Sequence, residues 1–133
     1  VAAGEPLSVK QEDIHLQGHA MECRINAEDP AHHFRPCPGV IEAIHLPGGN
    51  GVRIDTAAYN GYEIPPFYDS MIAKVIVHGR TRQEAIDKMR STLGELIIDG
   101  VTTNVDFQYE ILDNEDFQAG EITTDFIPMH FNL

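Results

Sequence analysis

The sequence is poor in basic residues. Lys and Arg together number 9 against 21 Asp and Glu among 133 residues, which gives a formal net charge of −12. Proteins that follow a nucleic-acid backbone, or that dock on an anionic membrane, need clusters of Lys and Arg. The composition therefore predicts neither a nucleic-acid partner nor a membrane partner.

Long apolar runs and cysteine are also scarce. No apolar run approaches the roughly 18 residues that a membrane-spanning helix requires, and no signal peptide opens the chain. The two cysteines, Cys23 and Cys37, do not have the spacing of a metal or redox motif. Cys23 lies on the apolar face of a predicted strand, where a small buried thiol fits a reducing compartment, so we expect a cytoplasmic protein.

The hydrophobic pattern of the first half is that of strands. Two Asn-Gly steps predict tight hairpin turns, and hence an antiparallel meander. The residue before each Gly can adopt positive φ, as such turns require. The predicted strands are 19–25, 40–46, 52–59, 62–64 and 71–79, of which the last is nearly continuously apolar and is expected at the centre of its sheet.

The pattern of the second half is helical. Thr81 and Glu84 form a capping-box pattern, and apolar residues then recur at helical spacing through Asp99-Gly100. Three shorter segments follow: a helix over 104–112 capped by Asn104, a helical turn or loop over 113–120, and a short helix over 123–131 broken near Pro128. We predict an α+β fold, with an antiparallel, barrel-sandwich-like sheet followed by helices packed on it.

The chain begins Val-Ala-Ala, without an initiator Met, and Gly4 and Pro6 follow. This pattern is typical of the last turn of a helix and its stop signal. We therefore expect residues 1–17 to be a helix remnant and connector, and residues 1–133 to be one domain of a larger protein.

Three familiar kinds of site are disfavoured by context. The glycines of "PGGNGVR" precede a strand, whereas a phosphate loop must open a helix. Adjacent His32 and His33 point apart, and Gly18 separates His15 from His19, so we predict no metal site. A Ser/His/Asp hydrolase would need a nucleophile elbow, which is absent. Asp69 of "YDS" is expected to cap the backbone that follows it.

Arg24 is the strongest candidate for a functional side chain. Glu22 and Arg24 are two residues apart on one strand, so both point to the same side of the sheet. The pair could be a surface ion pair contributing ~0–1 kcal/mol. It could instead direct a guanidinium, which stays charged and donates in a planar fork, at a carboxylate-like or enolate oxygen. The pattern alone leaves both interpretations open.

Five stretches in order, "GHAMECRINAEDP", "PGGNGVRID", "PPFYDSMIAKVI", "ELIIDGVTTN" and "TTDFI", resemble the C-terminal region of biotin carboxylase. Biotin carboxylase is the ATP-dependent component of biotin-dependent carboxylases and belongs to the ATP-grasp enzymes. The resemblance covers nearly the whole chain. It departs at Cys37, where the family's pattern leads us to expect Ser. "ECRINAED" is more similar to the acetyl-CoA and propionyl-CoA branches than to the pyruvate branch.

The resemblance implies that Arg24 is a catalytic and substrate-binding residue. In the family, ATP phosphorylates bicarbonate to carboxyphosphate, which yields CO2 to the ureido nitrogen of biotin on a carrier protein. The matching arginine contacts the ureido oxygen of biotin and stabilises the enolate. The residues that bind ATP, Mg2+ and bicarbonate lie upstream of residue 1, so this region alone is expected to be inactive and to bind no cofactor.

The resemblance also implies partners. Arg53 and Glu95 match positions at a homodimer interface, and Thr124 falls near the adenine of ATP, where the family often has an aliphatic residue. The expected partners are the rest of the polypeptide, a second copy of the enzyme, the biotin carboxyl carrier protein and a carboxyltransferase. We expect the biotin carboxylase component of acetyl-CoA carboxylase, which serves fatty acid synthesis. The equivalent region of propionyl-CoA or pyruvate carboxylase, or a non-catalytic interaction module of the same fold, remains an alternative.

Overall fold

The computed structural model describes residues 1–131 and has strands mainly in the first half and helices in the second, as the predicted α+β class requires. The strands are β1 (His19–Asn26), β2 (Glu28–Asp29), β3 (Arg35–Pro36), β4 (Gly39–Val40), β5 (Ala43–His45), β6 (Val52–Thr56), β7 (Glu63–Ile64), β8 (Met71–Gly79) and β9 (Ile97–Asp99). The helices are α1 (Arg82–Glu95), α2 (Val105–Asp113), α3 (Glu115–Ala119) and α4 (Phe126–His130), with 3-10 turns at Gln11–Asp13 and Pro30–His32.

The main sheet has three antiparallel strands in the order β1-β8-β6. This order confirms the central place that the nearly continuous apolar sequence of β8 predicts. Cys23, Val75 and Ile54 lie side by side across the three strands. They point to the inner face of the sheet, where α1 packs.

Helix α1 supplies the other half of the core. Its buried residues recur every three or four positions, so they form one stripe facing the sheet. Burying such side chains contributes about 1.5–3 kcal/mol each relative to leaving them exposed. The largest fully buried side chains are Ile25, Ile41, Ile86, Met89, Leu93, Leu112, Val75 and Val77.

Both predicted hairpins, across "PGGNG" and across Asn60-Gly61, are wrong, since β6 and β7 do not pair with each other either. Residues 40–46 divide into β4 and β5, which pair with β7 and β9, while β6 pairs with β8. The glycines therefore connect two different sheets. Turn residues act only on the local backbone. Which strands pair is decided by burial of the inner face of the sheet, and the residues that bury it are distant in sequence.

Three helix predictions also need correction. The first helix ends at Glu95, and Ile97 belongs to β9, since a short apolar run satisfies either period. Only half of the capping box forms: Thr81 Oγ1 accepts the Glu84 N–H at 3.2 Å, whereas the Glu84 carboxylate binds the Arg80 N–H and guanidinium. The last helix is not broken at Pro128, which lies in the first turn, where no backbone N–H is needed.

The first four residues form a single turn. The Gly4 N–H donates to the Val1 carbonyl at 2.9 Å, forming a single turn, and the only helical element before β1 is the 3-10 turn. No helix within residues 1–131 is both long and apolar enough to cross a membrane.

Gly100 allows a close approach of two backbone segments. Its φ is +98°, and a Cβ there would lie 2.4 Å from the Val40 carbonyl oxygen. Gly61 has a similar φ of +86° but nothing within 4 Å of its Cβ position. Comparing substitutions at the two glycines therefore separates the cost of backbone strain from the cost of steric overlap.

We predict that Gly61→Ala destabilises the fold by about 1 kcal/mol, the cost of a left-handed backbone for a residue with a Cβ. Gly100→Ala is expected to cost about 3 kcal/mol, because steric overlap adds to the same strain. Urea denaturation of both variants measures the difference. Equal losses would show that the approach at Gly100 is not close.

Candidate functional site

The outer face of the main sheet, opposite α1, carries two rows of side chains. Arg24, Lys74 and Asp55 lie side by side across the strands in one row. The neighbouring row contains Glu22, Ile76 and Arg53. Directly opposed residues in an antiparallel sheet have Cβ atoms about 4.5–5.5 Å apart, so Arg24 and Lys74 place two positive charges next to each other. This face is the candidate site.

Asp69 forms an ion pair with the Arg24 guanidinium. Its Oδ2 lies 3.5 Å from Arg24 Nη2, and the Arg24 side chain is 55% exposed. Its Oδ1 accepts the Met71 N–H at 3.0 Å, which confirms the predicted cap and fixes the carboxylate at the start of β8. Because a guanidinium has five N–H donors, this ion pair leaves donors available for a second anion.

Glu22 does not have the role predicted for it. Among the ion pairs of residues 1–131, Arg24 is paired with Asp69 and not with Glu22. Glu22 lies on the expected face, but the contact across the sheet comes from a turn 45 residues later in the chain. Sequence spacing predicts the face correctly and the partner wrongly.

The backbone of Arg24 is anchored by α2. β1 is an edge strand, and at Arg24 and Asn26 its outer edge is bonded by Asn104 and Gln108 in place of another strand. The Arg24 carbonyl accepts from Asn104 Nδ2 at 3.1 Å and from Gln108 Nε2 at 3.2 Å. Asn104 Oδ1 accepts the Asn26 N–H at 2.9 Å, and the Asn104 N–H donates to the Asn26 carbonyl at 3.2 Å.

The predicted capping role of Asn104 is therefore wrong. Asn104 does precede α2, but its side chain makes no cap hydrogen bond and is 5% exposed. It takes the place of a neighbouring strand for β1. Asn before a helix is most often a cap, so no signal in the sequence indicates this role.

Cys23 lies on the opposite face of β1 from Arg24. Burial, together with the nearby Glu22 carboxylate, raises the pKa of the Cys23 thiol from 9.0 to about 12. The thiol is therefore neutral and unreactive at physiological pH while the fold is closed. The predicted buried thiol is confirmed.

The other candidate residues lie on separate elements. Arg53 on β6 donates to Asp55 through Nε at 2.8 Å and Nη2 at 2.9 Å, which raises the pKa of Arg53 and lowers that of Asp55. Glu95 is exposed at the end of α1, and Thr124 is exposed in the turn before α4. Arg53 shares the outer face of the main sheet with Arg24, in the neighbouring row, whereas Glu95 and Thr124 lie away from that face on other elements.

No group of three or more His, Cys, Asp or Glu side chains within residues 1–131 is arranged to hold a metal ion.

The model of the family described as the biotin carboxylase C-terminal domain matches residues 22–129. The chain belongs to the biotin carboxylase C-terminal domain family. It is 54% identical over 127 residues to biotin carboxylase 1 of Bacillus subtilis, a match covering 96% of this chain and 28% of that protein. It is also 54% identical over 127 residues to a pyruvate carboxylase subunit of Methanothermobacter thermautotrophicus, covering 96% of this chain and 26% of that protein.

Solved biotin carboxylase structures share the fold. The biotin carboxylase domain dimer of Hydrogenobacter thermophilus 2-oxoglutarate carboxylase, in complex with MgADP, ADP and bicarbonate, superposes with a TM-score of 0.95 at 46% identity. That match covers 97% of this chain and 28% of the other. The chain thus spans about a quarter of the length of the relatives it matches.

We predict that Asn104→Ala lowers the free energy of unfolding by about 2 kcal/mol, because it leaves the partly buried Asn26 N–H without its partner and removes one donor to the Arg24 carbonyl. Gln108→Ala removes a more exposed donor to the same oxygen, and less than about 1 kcal/mol is expected. Denaturant unfolding compares the two variants. Equal effects would contradict an edge-strand role specific to Asn104.

Proposed function

We propose that residues 1–133 form the C-terminal lobe of a biotin carboxylase. The complete enzyme uses ATP and bicarbonate to carboxylate biotin on a carrier protein, in the first half-reaction of a biotin-dependent carboxylase. The observation that supports this proposal within the chain is Arg24, held half-exposed on a rigid strand with one carboxylate at 3.5 Å.

Arg24 serves as the electrostatic partner of biotin. When N1 of the ureido group loses its proton, negative charge develops on the ureido oxygen. A cation already fixed beside that oxygen stabilises the charge without reorganising during the reaction. Asp69 supports this role because it orients the guanidinium before biotin arrives, and Lys74 adds positive charge beside it.

The remaining steps belong to other parts of the enzyme. We propose that upstream residues bind ATP, Mg2+ and bicarbonate, and that Thr124 contributes a peripheral contact to the nucleotide. Arg53 and Glu95 are proposed to lie in a homodimer interface. The carrier protein brings biotin to Arg24, a carboxyltransferase receives the carboxyl group, and the assembly is cytoplasmic.

The branch we favour is acetyl-CoA carboxylase, whose product feeds fatty acid synthesis, because "ECRINAED" is more similar to the acetyl-CoA and propionyl-CoA branches than to the pyruvate branch. The identity is 54% both to the Bacillus biotin carboxylase and to the Methanothermobacter pyruvate carboxylase subunit and favours neither branch. The same lobe of a pyruvate carboxylase is a second candidate, supported by equal identity to the Methanothermobacter protein. Assays of the assembled enzyme with acetyl-CoA and with pyruvate as acceptors distinguish the two candidates.

In the complete enzyme, we predict that Arg24→Ala lowers the rate of biotin carboxylation by about 100- to 1,000-fold, as removal of an oxyanion-stabilising donor does. The measurement is ATP-dependent carboxylation of free biotin, with the fold checked by thermal unfolding. Arg35→Ala is the control, because Arg35 is also an exposed arginine in a 3.8 Å ion pair, with Asp29. Unchanged turnover in Arg24→Ala would refute the role of Arg24.

For the 133-residue chain alone, we predict no ATP binding tighter than about 1 mM, which corresponds to roughly 4 kcal/mol of binding free energy. The reason is that the proposed lobe holds one peripheral nucleotide contact and, within residues 1–131, no metal-binding cluster. Isothermal titration calorimetry with MgATP tests this. Micromolar binding would show that the lobe contains a nucleotide site of its own.

A further inference from the structure

The segment from Asn114 to His130, here named the C-terminal cap, contains α3 and α4 and lines one side of a partly open cavity of about 420 Å³. The cavity is mainly apolar. It lies between the inner side of β1, the end of α2 and the cap. Lining side chains include Met21 and Cys23 from β1, Leu112 from α2, and Phe117, Ile122 and Phe126 from the cap.

Arg82, the first residue of α1, reaches across to the cap. Its Nη2 donates to the Phe117 carbonyl at 2.6 Å, and its Nη1 donates to the Gln118 carbonyl at 2.7 Å. Its guanidinium carbon lies 5.1 Å from the centre of the Phe117 ring. One side chain thus binds both the backbone and the aromatic ring of the cap.

The position of Arg82 is not explained by the stability of α1. A cation at the N-terminus of a helix is opposed by the helix dipole, whereas carbonyls at the end of a helix attract it. At the end of α3 the Phe117 carbonyl also accepts the Gly120 N–H at 3.1 Å, so Arg82 adds a second donor there and supplies a donor to the Gln118 carbonyl. Arg82 therefore stabilises the end of α3 and destabilises the start of α1.

Arg82 is also the link between the cap and the α1 side of the domain. Among the side-chain hydrogen bonds of residues 1–131, the others that involve the cap stay within it or reach the adjoining α2. Gln118 Nε2 donates to the Leu112 carbonyl at 3.0 Å, and His130 lies 3.5 Å from Asp116. The remaining attachment is the apolar contact of residues such as Phe126.

We propose that Arg82 is a positioning residue that latches the C-terminal cap over the cavity and thereby fixes the Thr123–Asp125 turn at the end of the chain. The contacts between Arg82 and the cap lie entirely within this chain, so the latch does not depend on the rest of the enzyme. Its effect on nucleotide binding rests on the proposed function, because Thr124 in that turn is the proposed ATP contact.

Cys23 reports on the latch, because it lies 5% exposed in the cavity beneath the cap. Thiol reagents attack the thiolate, so the closed state is protected both by burial and by the raised pKa of Cys23. Opening of the cap would expose this thiol. Cys37, the other cysteine, is partly exposed and is replaced by Ser in every variant, which leaves one thiol.

The first experiment measures the rate at which a disulfide reagent modifies Cys23 in the folded 133-residue chain. Arg82→Met is expected to accelerate modification by about 10-fold or more, because two hydrogen bonds to a charged donor are lost. Arg80→Met removes the same charge from a side chain that is 91% exposed, and no acceleration is expected. Arg82→Lys, which keeps the charge but not the fork, should fall between.

Denaturant dependence separates cap opening from global unfolding. A rate that is insensitive to low denaturant concentrations reports local opening, whereas global unfolding gives a steep dependence. If Arg82→Met does not fold, Arg82→Lys alone against the parent provides the comparison. Equal Cys23 rates in the parent and the Arg82 variants would overturn the latch.

The second experiment uses the complete enzyme. Arg82→Met should raise the KM for ATP about 10-fold while kcat for biotin carboxylation stays near that of the parent, a split that general destabilisation does not produce. Faster Cys23 modification with an unchanged KM would support the latch and overturn the nucleotide contact at Thr124. An inactive parent enzyme would refute the proposed function and leave the Cys23 result standing.

Discussion

The structure depends on how the open edge of β1 is satisfied. An edge strand presents backbone groups that must find partners, and a second strand is the usual solution. Here Asn104 supplies both a donor and an acceptor, and Gln108 supplies a second donor to the Arg24 carbonyl. Because α2 is tied to the strand at this point, the backbone that bears Arg24 is held from both sides, by β8 and by a helix. Such two-sided support keeps a cation fixed, as electrostatic stabilisation of a developing charge requires.

The pairing register of β1, β8 and β6 determines how the charges on the outer face are arranged. Arg24 and Lys74 are directly opposed, and like charges in that arrangement repel. Asp69 neutralises one end of the row, and Asp55, which is 3.8 Å from Lys74 and also binds Arg53, neutralises the other. The strands are therefore stable without an anion, and the two cations remain beside each other at the surface. A face of this kind is suited to a group whose negative charge appears during the reaction, as proposed for biotin.

The sequence is informative where one period persists over many residues. β1, β8 and α1 are predictable because burial alternates or recurs along their whole length, although the predicted end of α1 lies too late. The two- and three-residue strands are not predictable in this way, because contacts with distant parts of the chain determine which strands they pair with. The same limit applies to the site. Arg24 is recognisable through its neighbours in sequence, but Asp69, Asn104 and Gln108 lie 45 to 84 residues away and are typical of turns, caps and helix surfaces.

The two faces of β1 connect the proposed site with the C-terminal cap. Successive side chains point to opposite sides of a strand, so Arg24 faces the outer surface while Cys23 faces the cavity. Gln108 lines that cavity and also donates to the Arg24 carbonyl, so it is the side chain through which a movement of the cap would reach the strand. The strand is too well paired to follow such a movement, since β8 and Asn104 hold it independently. Arg82 can thus hold the cap on one side of β1 without displacing the Arg24 guanidinium on the other side.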